Sequence, residues 1–429
     1  MGETTGRARS EVAPSGRSHT RRAVTAASIG NALEWYDIII YGYFAAVISR
    51  LFFPGGSDFE ALMLTFGTFA VSYLIRPVGA LVIGSLGDTR GRKLALNLTI
   101  LLMFTGTLLL TVAPTHQQIG AAGAAIVLLA RLLQGFSAGG EFGSATTFLT
   151  EHALERKAFY ASWQTATQGA ALLLAASVSL IVTATLSDVQ LDSWGWRLAF
   201  AIGLLIGPVG FYIRTTMDDP AEFKAVEVLR SPIGELLKSH VVRVCTAAGC
   251  VGFATVTMYL LIYLPTYAVK HLDLPLYSGY LGGIIGGALL LACSPAIGAL
   301  ADRRGCVAVM RIAAGLGVLT VVPIFLLVTQ QPSVWMLTVA QAVLGVVLAF
   351  YFAPLPALMS SLFPTQIRTS GVSTSYNLGV VLFGGTAPLV FTALVEVTDS
   401  LVAPASFVTA VAAISWCAVG VARSRFGQR

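Results

Sequence analysis

Long apolar runs, broken by short polar stretches rich in Gly and Arg, recur from residue 23 to residue 422. Crossing a bilayer as a helix takes roughly 20 predominantly apolar residues. The pattern predicts spans over Ala23–Phe53, Leu62–Gly87, Leu94–Ala113, Ile119–Leu149, Phe159–Leu186 and Trp194–Thr215, then over Val241–Val269, Ser278–Leu300, Val307–Val328, Val334–Leu362, Thr369–Val395 and Ala403–Ala422. A polar connector over 216–240 divides them. The chain therefore reads as an all-α polytopic membrane protein with 12 transmembrane helices in two six-helix halves, 23–215 and 241–423, flanked by a disordered tail over 1–22 and a short tail over 424–429.

Composition sharpens this picture. Hydrophobic residues make up 55% of the 429 and charged residues 11%, where a soluble domain carries roughly a quarter charged. One soluble core cannot absorb so much apolar surface. The net charge of +6 does not point to nucleic acid, because the basic residues alternate with apolar runs. Only Arg50, Arg197 and Lys270 flank the spans on one side; apart from the intramembrane Arg76 and Arg131, the rest fall on the side of both termini. Positive charge marks the cytoplasmic face, so both termini are expected in the cytoplasm, with the protein in the inner (plasma) membrane. The first 22 residues lack the short apolar core of a signal peptide. The cysteines, Cys245, Cys250, Cys293, Cys306 and Cys417, lie in or beside apolar runs without metal-site spacing and read as small packing residues. Neither metal nor cofactor is expected.

Gly84, Asp88 and Gly91 recur as Gly298, Asp302 and Gly305, each 214 residues later. Each set follows the second span of its half and is basic: Arg90, Arg92 and Lys93 in one, Arg303 and Arg304 in the other. Three matches at one offset in equivalent loops imply two homologous halves. Two halves enclosing a midplane cavity is a transporter architecture.

The first span carries Glu34 and Asp37, three residues apart and so on one helix face. A carboxylate at mid-bilayer costs roughly 2.5–3.5 kcal/mol, so this face should avoid lipid. Either residue could carry a proton or serve a structural ion pair. Arg76 and Arg131 are the basic residues well inside the membrane, and each needs a carboxylate or a substrate as partner. Arg131 opens RLLQGFSAGGE, where small residues allow close helix approach. Gln134 lies one turn on. Tyr41, Gln164, Gln168, Tyr259, Tyr263, Tyr376 and Asn377 are further candidate substrate contacts, since hydroxyls and amides can donate to carboxylate oxygens. Packing accounts equally for the tyrosine stripe at 259, 263 and 267, where Pro265 should bend the helix. Trp194 and Trp196 beside Arg197 read as an interfacial anchor. His19, His116, His152, His240 and His271 fall in tails or loops.

With these residues in view, the chain resembles the major facilitator superfamily. GSLGDTRGRK at Gly84–Lys93 is similar to its loop 2–3 signature, and GALADRRG at Gly298–Gly305 to the weaker second copy. GNALEWYD at Gly30–Asp37, IRPVGALVIGSLGD at Ile75–Asp88, RLLQGFSAGGEFG at Arg131–Gly143 and LFPTQIRTSG at Leu362–Gly371 resemble the metabolite:proton symporters, which include carriers of citrate, tricarballylate, α-ketoglutarate, shikimate and proline/betaine. The resemblance implies a cytoplasmic gate built from Gly84, Asp88, Gly91, Arg92 and Lys93 with Asp302 and Arg303, in which Asp88 faces the positive end of a partner-half helix. It also implies that Asp37 and Arg131 form a proton-coupling pair, as a first-span Asp and fourth-span Arg do in related sugar symporters, with Glu34 able to replace Asp37. YLPTYA at Tyr263–Ala268 is similar to the tricarboxylate and dicarboxylate branch, and Arg76 with Arg131 could neutralise two carboxylates. With seven residues after Ala422, a long C-terminal coiled coil like that of the osmosensing proline/betaine carrier is not expected.

The expected function is proton-coupled symport of a small carboxylate metabolite by a monomer in the lipid bilayer. The alternatives are a carrier of shikimate or proline/betaine, a proton-independent facilitator, and an integral membrane enzyme. No His/Asp/Cys constellation with catalytic spacing supports the enzyme.

Overall fold

The computed structural model describes residues 31–90, 92–139, 141–151, 156–205, 207–208, 236 and 238–428. The tail over 1–22, Gly30, Gly91 and most of the connector lie outside the described residues, as do the surroundings of Gly84 and the side chains of Asp88, Arg92, Lys93 and Glu141.

The fold is all-helical. Helical segments are α1 (31–52), α2 (58–90), α3 (Arg92–Val112), α4 (Ala121–Ala138 and Glu141–Glu151), α5 (Lys157–Thr185) and α6 (191–205), then α7 (Val241–His271), α8 (Tyr277–Arg304), α9 (Cys306–Gln330), α10 (Val334–Leu362), α11 (Thr365–Thr398) and α12 (Ala403–Phe426). Among the described residues, nine helices are long and apolar enough to cross a membrane. Lipid-facing and interior positions separate as helical periodicity requires. On α9, Ile312, Leu316, Leu319, Leu326 and Leu327 form an exposed apolar stripe, whereas almost all of α7 is buried. Pro265 leaves α7 unbroken, and Gly279 of α8 packs on its ring.

Breaks in the helices place the polar residues. Pro77 has no N–H to give the carbonyl four residues back, and α2 interrupts at Ile75, whose N–H turns to Tyr73 and Val71. Arg76 starts the next piece with its guanidinium 4.1 Å from the centre of the Tyr73 ring. In α11 a π-helical turn over Val380–Gly384 brings Gly384 against the Tyr259 ring and Gly385 against the Tyr73 ring. Such turns often mark functional sites.

Small residues set the helix spacings. A Cβ on Gly135 would lie 1.9 Å from the Ser72 carbonyl oxygen, one on Gly139 2.1 Å from that of Arg76, and one on Gly79 1.9 Å from that of Phe136. The α2–α4 seam is thus backbone against backbone, the close approach expected of the glycines after Arg131. Between halves, Gly169 of α5 meets Gly287 and Leu291 of α8, and Gly42 of α1 meets Ile262 of α7.

The halves touch at both ends of the bundle. At one end, Asp302 at the tip of α8 accepts hydrogen bonds from the Ala158 and Phe159 N–H groups of α5, at 2.8 and 3.0 Å. Thr150 bonds Ser360 at 2.8 Å, and Asn377 donates to the Gly139 carbonyl at 2.6 Å. Gly298 is required here, because a Cβ would strike Ser162 and the Ala158 carbonyl. Gly305, at φ +88°, ends α8 and starts α9 in a backbone state that favours glycine. At the other end, Lys270 pairs with Asp58, and Tyr280 donates to the Tyr43 carbonyl.

Trp194 is exposed, but Trp196 is buried between Phe52 and Phe200 with Arg197 over its ring. Only Trp194 suits the anchor expected of this pair. The cysteines are free, with Cys250 buried and Cys245 and Cys417 exposed. Packing therefore describes Cys250 better than the other two.

Candidate functional site

The buried charges converge midway between the ends. Asp37 and Arg131 are each 1% exposed, Arg76 5% and Glu34 6%, so lipid is not their environment. Asp37, Ser72, Arg76, Arg131 and Gln134 line one small cavity with Ile38, Met103 and Gly135. Asn31, Glu34, Arg76 and Tyr376 line a second, with Trp35, Ala138 and Phe142. Arg76 borders both, and one carboxylate belongs to each. Each cavity has a volume of about 10 Å³, room for on the order of one water.

Asp37 and Arg131 do not touch directly. Arg131 Nη1 donates to Gln134 Oε1 at 2.7 Å, while Gln134 Nε2 reaches Asp37 Oδ2 at 3.4 Å and Thr107 Oγ1 at 3.1 Å. Thr107 also donates to Asp37 Oδ2. The second carboxylate oxygen, Oδ1, is buried without a partner and points at Gly203 of α6, where a Cβ would lie 1.9 Å away. Arg131 sits over the rings of Tyr41 (4.4 Å) and Phe69 (5.1 Å), with Ser72 3.5 Å from Nη2. Its Nε has no partner, nor does that of Arg76. A guanidinium carries five N–H donors, so the cations hold capacity for an oxyanion.

Aromatic groups close the space around Arg76. Tyr259 of α7 donates to the Tyr73 hydroxyl across the halves. Tyr376 stacks on Phe142, ring centres 3.4 Å apart, with its hydroxyl buried and unpartnered. Gln168 is fully buried with neither amide atom bonded, an arrangement costing about 1–3 kcal/mol. Other expected contacts are spent internally: Gln164 on Thr146, Tyr41 on Thr68, and Asn377 on Gly139. Tyr263 packs among Phe66, Tyr267 and Phe391, and lines neither cavity. Tyr73, Thr107, Ser72, Asn31, Phe142 and Gly203 join the site without having stood out in the sequence.

The model of the Major Facilitator Superfamily matches residues 28–382. The chain belongs to the Major Facilitator Superfamily. Among curated relatives of this superfamily member, the citrate-proton symporter of Salmonella typhi is 35% identical over 394 residues, covering 90% of each chain. The alpha-ketoglutarate permease of Escherichia coli is 34% identical over 384 residues, 87% of this chain and 88% of that one. The glycine betaine/proline/ectoine/pipecolic acid transporter OusA of Dickeya dadantii is 32% identical over 412 residues, 92% and 81%. Solved structures agree in fold: the xylose transporter XylE from E. coli, in a partially occluded inward-open conformation, superposes with a TM-score of 0.73 at 16% identity, covering 95% of this chain and 98% of that one.

Proposed function

We propose that this chain is a proton-coupled symporter of a small carboxylate metabolite of citrate-like or dicarboxylate type, working by alternating access with 12 spans and both termini in the cytoplasm of an inner-membrane protein. The observation that carries the reading is the central cluster of two buried arginines with unspent donors beside two buried carboxylates. Buried cations with unmet donors are costly, and an anionic substrate would meet the Nε of each arginine. Relatives named as a citrate-proton symporter and an alpha-ketoglutarate permease support the same substrate class.

In the proposed cycle a proton enters on Asp37, with Glu34 as the alternative carrier, while Arg131 and Arg76 hold the substrate carboxylates and Tyr376 supplies a further donor; Gln168 lines neither cavity. Neutralising the cluster lets the halves rock about it. Closed ends and water-sized cavities correspond to the occluded step of that cycle. Asp302, with Arg303 beside it, forms the gate at the α5–α8 end, and Gly84, Asp88, Gly91, Arg92 and Lys93 make its counterpart in the other half.

Purified protein in liposomes with an imposed pH gradient, offered citrate, tricarballylate, α-ketoglutarate, shikimate and proline, tests the reading. Gradient-driven accumulation of a di- or tricarboxylate that a protonophore abolishes is the expected result. Accumulation of proline alone would reassign the substrate, and protonophore-insensitive equilibration would make the chain a facilitator.

A further inference from the structure

Within the proposed symport, one side chain has a place that substrate contact does not explain. Gln134 lies between the cation and the acid, its carbonyl end bonded to Arg131 and its amino end toward Asp37 and Thr107. The surroundings make room for it: a Cβ on Gly106 of α3 would lie 2.7 Å from Gln134 Cγ. The amide is 4% exposed and both its ends are engaged. It has little left to offer a ligand.

We propose that Gln134 is the positioning residue through which an anion on Arg131 and a proton on Asp37 sense each other. An amide is polar in one direction. While Arg131 holds Oε1, the NH₂ group is aimed at Asp37 Oδ2, where donation favours the charged carboxylate. A substrate carboxylate competes for the Arg131 guanidinium, frees Oε1, and removes that aim. Asp37 then keeps the Thr107 bond on Oδ2 and takes its proton on Oδ1, the oxygen without a partner. Anion and proton thereby promote each other's binding, as linkage requires. A direct ion pair would instead lose its attraction outright when either charge was met.

The inference rests on the proton-coupled reading, and the two can fail separately. Citrate is the probe, in liposomes, with two measurements: accumulation under a pH gradient, and counterflow exchange without one. If the unmodified protein accumulates neither citrate nor another di- or tricarboxylate of the panel above, the functional reading fails and this one with it; if it takes another of these acids in place of citrate, that acid replaces citrate in both measurements. If it does accumulate citrate, Gln134→Met keeps length and bulk but removes both polar ends. Accumulation should then fall at least about tenfold more than exchange, within the usual range of site-to-site coupling. Gln134→Glu keeps the bond to Arg131 but turns an oxygen toward Asp37, so that the two carboxyls share one proton whether or not substrate is bound. It should exchange citrate while failing to concentrate it. Gln134→Glu carries the test if the methionine variant does not insert. Full accumulation by either variant overturns the proposal, and so does equal loss of exchange and accumulation, which would return Gln134 to substrate binding.

Discussion

Replacing Asp302 with Ala tests how firmly one end of the bundle is held. The first N–H groups of any helix lack intrahelical partners, and in α5 those of Ala158 and Phe159 are met by Asp302 from the other half, at 2.8 and 3.0 Å. A side-chain cap contributes about 0.5–2 kcal/mol, and a negative charge at the helix N-terminus adds about 0.3–1 kcal/mol when exposed. Asp302 is exposed, so the lower part of the combined range applies, about 1–1.4 kcal/mol. Because these bonds exist only while this end is shut, the open fraction should rise about five- to tenfold. Ser360, buried beside Thr150 at the same end, can report it. With the five native cysteines replaced by Ser, a Ser360→Cys variant in detergent should react with a maleimide about five to ten times faster when Asp302→Ala is added. Asp302→Asn, which retains an acceptor without charge, should give a smaller increase. An unchanged labelling rate in the alanine variant would refute this role in closure and leave Asp302 an ordinary residue at the tip of α8.

Other outcomes follow from the same geometry. Lys270→Gln removes an exposed pair with Asp58, worth up to about 1 kcal/mol, so labelling at the opposite end should rise less than fivefold; a larger effect would mean that this pair dominates closure. Arg131→Lys keeps charge but loses the planar fork, and should weaken citrate binding by roughly 1.5–3 kcal/mol, the worth of hydrogen bonds to charged groups, as read by ligand-induced thermal shift; unaltered affinity would remove Arg131 from the substrate site. Gly203→Ala places a methyl carbon on Asp37 Oδ1 and should destabilise the protein by about 1–3 kcal/mol and impair accumulation; wild-type melting and uptake would show that this contact yields freely.

Much of the arrangement could be read from spacing. Glu34 and Asp37 were expected on a lipid-shielded face and are buried there, and the glycines after Arg131 do admit another helix backbone. The recurrence at Gly298, Asp302 and Gly305 implied two homologous halves; the contact with a partner-half helix that the resemblance implies for Asp88 is of the kind that Asp302 makes on α5. Other parts depend on packing that one sequence does not display. Thr107 and Tyr73 sit in apolar runs, indistinguishable from core until α1 and α7 are placed beside them. The step from Arg131 to Asp37 through Gln134 needs α1 and α4 at known separation. Trp196 misled because two tryptophans beside an arginine look like a membrane belt, while Phe52 and Phe200 cover one of them.

The hydrogen-bonded set of Asp37, Thr107, Arg131, Gln134 and Ser72 belongs entirely to helices α1 to α4. From α7 and α11 come phenols and an amide, Tyr259, Tyr376 and Asn377. On the proposed reading the N-terminal half holds the proton site and both carboxylate-binding arginines, and the C-terminal half closes the site with phenols. A chimaera joining this N-terminal half to the C-terminal half of a relative should keep its dependence on the pH gradient and its need for an acid, while its preference among acids shifts.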